Sequence, residues 1–247
     1  MRLKSERGFT VNQHDEQRLD GACISPDSCN DESPAGASRG GVACAQAKSV
    51  ALRVLGEESL AGKVFLMGGL VPWIVSGQDS GRLHGDVDLA VRAKDMPAVR
   101  AWLAGRETRV AVLDSLDLPC NVAHADYGLC AIIDGVPVSF CPFTIDDGAL
   151  CQRSAAFTQL EGFDALFEAC ASGIAMGDFV ERRVLPNGGA VGMATLETCR
   201  AAKASSDREK DAVDIAELDR LGYDSARFAR MTTAFERMNV ICVAHSA

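Results

Sequence analysis

Val64–Val91 reads VFLMGGLVPWIVSGQDSGRLHGDVDLAV, and the order of its parts decides the fold. Lys63 to Met67 has the character of a buried strand, Gly68-Gly69 is a turn, and Leu70 to Val75 is a short apolar helix. A polar loop, Ser76 to Gly85, leads to a second strand that carries Asp86 and Asp88. Residues two apart on a strand share a face, so the two carboxylates project together while Val87 and Leu89 point the other way. Adjacent carboxylates repel, and a cation between them relieves the repulsion. Such oxygen donors suit Mg²⁺, which takes one or two carboxylates and completes its shell with water and phosphate. Gly68 and Gly69, lacking side chains, allow backbone N–H groups close to phosphates at a helix start. Either feature alone is commonplace, as a surface pair or an ordinary turn; the ordered combination is far more specific.

That combination resembles the nucleotidyltransferase superfamily with the DNA polymerase β-like fold. Within it, the nearest resemblance is to the small antibiotic (aminoglycoside and lincosamide) and toxin-type nucleotidyltransferases, where the loop often reads Arg-Glu-His-x-Asp-(Ile/Leu)-Asp. Here Arg82 and His84 match, and Leu83 takes the acidic position. A second block, MATLETCRAAKASSDREKDAVDIAELDRLGYD from Met193 to Asp224, is similar to the C-terminal segment of the same proteins, where a Lys, a short gap, Arg-x-Lys-Asp and then Asp-Ile-x-x-Leu recur.

The resemblance implies an α+β fold, a mixed sheet with helices packed on it followed by C-terminal helices. It also implies metal-dependent transfer of a nucleotidyl group, expected to be AMP from ATP, to a hydroxyl of a small aminoglycoside-like or lincosamide-like acceptor. In that reading Asp86 and Asp88 hold one or two Mg²⁺ ions, Gly68 and Gly69 cradle the triphosphate, and Arg82, Lys203 and Lys210 neutralise its charge. Two alternatives stay open: a toxin–antitoxin enzyme acting on tRNA or protein, and a nucleotide-binding homologue with impaired transfer. The second follows from one departure. Aligning VSFCPF with the strand that bears the third carboxylate in active members puts Ser139 at that position. Serine cannot accept the acceptor's proton at neutral pH. Asp126, Asp134, Asp146 and Asp147 are the acids nearby, each more simply a turn or loop residue.

The 247 residues suffice for one catalytic core with a helical appendage, and 47% apolar with 24% charged residues is the balance of a soluble globular chain. A net charge of −9 argues against a broad nucleic-acid surface, leaves a local basic groove open, and mildly favours a small cationic acceptor. No apolar run nears the roughly 18–20 residues that span a bilayer, and the N-terminus lacks a secretory h-region, so a cytoplasmic location without membrane contact is expected. The ten cysteines include no C-x-x-C pair; they are expected as small hydrophobes in a reducing compartment rather than as disulfides or zinc ligands.

Three regions are expected: a loosely packed tail over 1–41, a catalytic core over 42–192, and C-terminal helices over 193–247. The tail is rich in Ser, Asp, Asn and Gly and cannot bury enough apolar surface to offset ordering entropy. Val42 to Leu60 suggests a helix ended by Gly56 or Gly62, and Met96-Pro97 starts another that runs to Ala104. Arg109 to Leu113, Asn121 to His124 continuing toward Ile133, and Val136 to Phe143 read as strands, with Asp134-Gly135 as a two-residue hairpin turn. FDALFEACASGIAM reads as helix, ERRVLPNGGAVG as a hairpin, and Asp224 to Val243 as a last helix. On the block after Met193, Thr195 or Ser206 can cap, and Ala212, Ile215, Leu218 and Leu221 form the apolar stripe, with Lys210 and Asp214 as a surface pair.

Overall fold

The computed structural model describes residues 41–106, 109–111, 127–158, 163–204, 206 and 208–245. The tail over 1–40, the Asn121–His124 strand, Asp126, Cys23, Cys29 and Cys120 lie outside the described residues.

Strand β1 (Val42–Ala43) runs directly into α1 (Cys44–Leu55). Its buried residues Cys44, Ala47, Val50, Ala51 and Val54 recur at helical spacing, and Gly56 ends it. The founding stretch follows: β2 (Val64–Leu66), a 3₁₀ turn over Gly68–Leu70, α2 (Val71–Ser76) with Pro72 in its first turn, β3 (Leu83–His84) inside the expected loop, and β4 (Val87–Arg92), which carries Asp88 but begins one residue after Asp86. Next come α3 (Met96–Ala104), β5 (Arg109–Ala111), β6 (Leu129–Ile133) and β7 (Val136–Asp146). Asp134 and Gly135 between β6 and β7 have φ of 49° and 77°. Positive φ at both positions is what a two-residue hairpin turn of the right twist requires.

The remaining elements are β8 (Ala149–Thr158), β9 (Phe163–Ser172), α4 (Met176–Phe179), β10 (Val180–Val184), β11 (Ala190–Ala194), α5 (Leu196–Ala202), α6 (Glu209–Leu221), α7 (Ser225–Glu236) and β12 (Asn239–His245). The main sheet has the order β10-β11-β2-β4-β7-β8-β9-β12, with β6 also on β7 and β5 on β6. Two of its pairings, β11 with β2 and β4 with β7, are parallel, and the others are antiparallel. The fold is therefore α+β with a mixed sheet. Alternation along the central strands divides the interior. Leu66, Val87, Leu89, Val91, Val138 and Phe140 share one core with α1, α2 and α3, while Phe65, Ala90, Phe143 and Leu150 share another with Phe179, Met231 and Phe235. Among the described residues no helix is long and apolar enough to cross a membrane.

Three expectations fail here. FDALFEACAS is strand β9, paired residue for residue with β8 from Phe163↔Thr158 to Ser172↔Ala149. Its odd positions, Phe163, Ala165, Phe167, Ala169 and Ala171, alternate with Asp164, Glu168 and Ser172, a period of two broken by Leu166 and hidden by residues that also favour helices. The last helix stops at Glu236, and Asn239–His245 is an edge strand on β9. Cys151 and Cys170, direct partners in the β8–β9 ladder, form a disulfide. Their contact depends on a hairpin that local periodicity does not announce. Cys44 and Cys199 are buried thiols, as small hydrophobes should be.

Candidate active site

Val87, Leu89 and Val91 are fully buried in the helix-covered core, so alternation turns Asp88 to the opposite face of the sheet. Asp86 stands just before the strand and is half-buried; Asp88 is 7% exposed. Met67, at the end of β2, donates its N–H to the Asp88 carbonyl at 2.9 Å, which brings the glycine turn against the carboxylate pair. Gly68 has φ of 73°, and a Cβ there would collide with Asp88 Oδ2. A Cβ on Gly69 would lie 2.7 Å from Arg82 Nη2 and 3.0 Å from Asp214 Oδ2. Both glycines are thus demanded by what packs against them as well as by any phosphate they serve. Gly68→Ala is expected to cost about 1–2 kcal/mol of unfolding free energy from its positive φ alone, read by urea denaturation.

Arg82 reaches from the loop to α6, donating from Nη2 to Asp214 Oδ1 at 3.0 Å and Oδ2 at 2.8 Å. Trp73 Nε1 on α2 donates to Asp214 Oδ1 at 2.8 Å, and Lys203 Nζ lies 3.3 Å from Oδ2. Lys203, just past α5, also pairs with Asp211, whose other oxygen accepts from Ser206 Oγ at 2.5 Å and Arg208 Nε at 2.6 Å. Burial raises the Asp211 carboxyl pKa, but the bonds from Lys203, Ser206 and Arg208 outweigh it and bring the value to about 2. Arg82 and Lys203 are thereby drawn to one buried acidic centre beneath the glycine turn. Lys210 is exposed on the first turn of α6. Asp214, expected as its surface partner, is instead wholly buried.

Sequence reading missed this centre. It took Ala212, Ile215, Leu218 and Leu221 as the inner stripe of α6, but the buried residues are Asp211, Asp214, Glu217 and Leu218, and Ala212 is exposed. The acids at 211, 214 and 217 are spaced three apart, and that spacing on one helix face was the available signal. The cap is Thr195, whose hydroxyl accepts the Thr198 N–H at 3.1 Å at the start of α5. Ser206 instead serves Asp211.

The loop before the carboxylates is held from inside. His84 is 3% exposed, and its Nε2 lies 2.9 Å from Ser80 Oγ, which also lies 3.1 Å from the Arg82 carbonyl. Burial, with the Arg82 charge adding to it, lowers the His84 pKa to about 4. Leu83 is 60% exposed. In the parallel β4–β7 ladder the partner of Asp88 is Ser139. Asp134 is taken by the hairpin turn and an ion pair with Arg53, and Asp146 and Asp147 lie at the opposite end of β7 from Ser139.

The glycine turn against Asp88 on β4, with Asp86 just before the strand and the Arg82–Asp214–Lys203 centre beneath, makes up the candidate site. No family model matches the chain, and no curated protein matches it. Among solved structures it is similar to the lincosamide antibiotic adenylyltransferase LnuA with lincomycin bound, at 15% identity and a TM-score of 0.43, over 64% of this chain and 87% of that one. It is also similar to the antibiotic-resistance factor ANT(2'')-Ia in solution, at 16% identity and a TM-score of 0.44, over 78% and 89%. A third likeness is to ANT(2'')-Ia in complex with adenylyl-2''-tobramycin, at 16% identity and a TM-score of 0.47, over 78% and 97%.

Proposed function

We propose that this protein transfers a nucleotidyl group, AMP from ATP, to a hydroxyl of a small, cationic, aminoglycoside-like or lincosamide-like acceptor. The observation that carries the reading is the meeting of Gly68 with the Asp88 carboxylate at the start of β4. It joins a phosphate-accommodating turn to a cation-demanding pair. Asp86 and Asp88 would hold a divalent ion, Mg²⁺ by the hardness of their oxygens. Such an ion neutralises charge developing on the α-phosphoryl group and the leaving pyrophosphate. Gly68 and Gly69 offer backbone N–H groups to the phosphates. Arg82 and Lys203, held by Asp214 and Asp211, fix the loop and the join of α5 and α6 beside the glycine turn, and Lys210 adds an exposed charge on the first turn of α6. The net charge of −9 suits a cationic acceptor.

Ser139 supports a second reading, a nucleotide-binding protein without transfer, because no carboxylate stands beside Asp88 on β7 to take the acceptor's proton. Binding and transfer are separable by experiment. ATP with Mg²⁺ at about a hundredfold excess over its Kd should stabilise the wild type by about 2.7 kcal/mol in thermal or urea unfolding. Asp86→Ala/Asp88→Ala should lose that gain. No stabilisation by any NTP would sink both readings. Stabilisation without AMP transfer to any aminoglycoside or lincosamide would leave the second.

A further inference from the structure

Ser139 occupies a place that its own packing does not explain. It is 4% exposed, and its Oγ is buried without a hydrogen-bond partner among the described residues. Buried hydroxyls are nearly always satisfied, so an orphaned one marks a missing partner. Directly opposed residues on neighbouring strands present their side chains to the same face about 5 Å apart, and the residue opposite Ser139 is Asp88. The hydroxyl therefore stands beside the carboxylate on the face to which the glycine turn is applied. An apolar residue of similar volume would fill the position at no polar cost, and a carboxylate would make a third charge. Serine does neither.

We propose that Ser139 Oγ is the third, uncharged oxygen donor of the cation site built on Asp86 and Asp88. The site then carries two negative charges rather than three and takes up its ion chiefly together with the phosphates of the nucleotide. The proposal rests on the nucleotidyl-transfer reading and concerns how that site is loaded. Hard cations accept neutral oxygens, and the number of charged ligands sets the affinity of such sites. With two carboxylates the protein alone is a poor trap for a divalent ion, and phosphate oxygens supply the missing charge. Arg82 and Lys203 do not deepen that deficit, because they are matched by Asp214 and Asp211. Exchange of the ion with the nucleotide, rather than its permanent residence, follows.

The test is Mn²⁺ binding to the full chain, followed by paramagnetic resonance of the free ion, with and without a non-hydrolysable ATP analogue. The wild type should bind Mn²⁺ weakly alone and at least about tenfold more tightly with the analogue. S139A should weaken Mn²⁺ binding by about tenfold in both states, the scale on which a lost partner acts in metal sites. S139D should tighten nucleotide-free binding by about tenfold or more, and so narrow the gap between the two states. Unchanged Mn²⁺ affinity in folded S139A overturns the proposal, and that variant only deletes a hydroxyl, so it stays informative if S139D does not fold. Failure of the nucleotidyl-transfer reading has a different signature, in which the wild type and Asp88→Asn take up Mn²⁺ equally with the analogue present.

Discussion

Asp214→Ala is expected to lower the unfolding free energy by about 3–5 kcal/mol, the usual consequence of removing one partner from a buried ionic group. The carboxylate is 0% exposed, the Arg82 side chain it holds is 19% exposed, and the Lys203 side chain 10%. Alanine would leave Arg82 without its carboxylate acceptor and the buried Trp73 Nε1 without its partner. Lys203 would keep Asp211, which limits the damage to that side. Asp214→Asn should cost less, since an amide oxygen still accepts one bond. The diagnostic variant is Asp214→Ala with Arg82→Met, which removes the stranded charge with its partner and should recover a good part of the loss, because matched apolar replacements of buried pairs are tolerated. Urea unfolding of the wild type, Asp214→Ala, Arg82→Met and the double variant gives the coupling directly. A loss below about 1 kcal/mol for Asp214→Ala would show a solvent-screened pair instead. Because Asp214 ties α2, the Arg82 loop and α6 together, the variant should also lose most of the stabilisation conferred by ATP and Mg²⁺.

How much of this was legible in the sequence depended on the range of the interactions. The glycine turn, α2, the strand entry at Asp86 and Asp88, α3 and the Asp134-Gly135 hairpin are written in local signals: positive-φ residues, first-turn prolines and alternation. Ser139, singled out by the resemblance, lies across from Asp88 in the β4–β7 ladder. What local pattern could not supply was pairing between distant strands. β9 was hidden by helix-favouring residues, and with it went the reasons for β12 and for the Cys151–Cys170 bond. The acidic inner face of α6 was missed for a different reason. Carboxylates are almost never fully buried unless paired, and the pairing cations, Arg82 and Lys203, come from elsewhere in the chain. Apolar periodicity found Leu218 and Leu221 on the inner face but not the acids that share it.

Acidification supplies a test of the loop that carries Arg82. The folded His84 pKa of about 4 lies below its ordinary 6.5, so the unfolded chain binds more protons between those values and stability falls as pH falls through that window. The difference corresponds to a loss of about 3 kcal/mol on going from neutral pH to pH 4, all of it regained above the ordinary value. Burial, with Arg82 beside it, disfavours the charged form, and the Ser80 contacts fix the tautomer. Ser80 has one hydroxyl proton and faces both His84 Nε2 and the Arg82 carbonyl. Both contacts are satisfied when Nε2–H donates to Ser80 Oγ and the hydroxyl donates to the carbonyl. That arrangement assigns the proton to Nε2 and leaves no acceptor role at that nitrogen. A second proton would place a charge in a buried site already beside Arg82. His84→Gln should remove this part of the pH dependence, seen as a flatter plot of urea midpoint against pH between about 4 and 6.5. Asp211 titrates in a separate window, from its ordinary 3.8 down to about 2, and its contribution should survive in the variant. An unchanged slope in His84→Gln would mean that His84 does not hold the loop. A flattened slope, with ATP-dependent stabilisation reduced in the same variant, would tie the Ser80–His84 contact to the placement of Arg82.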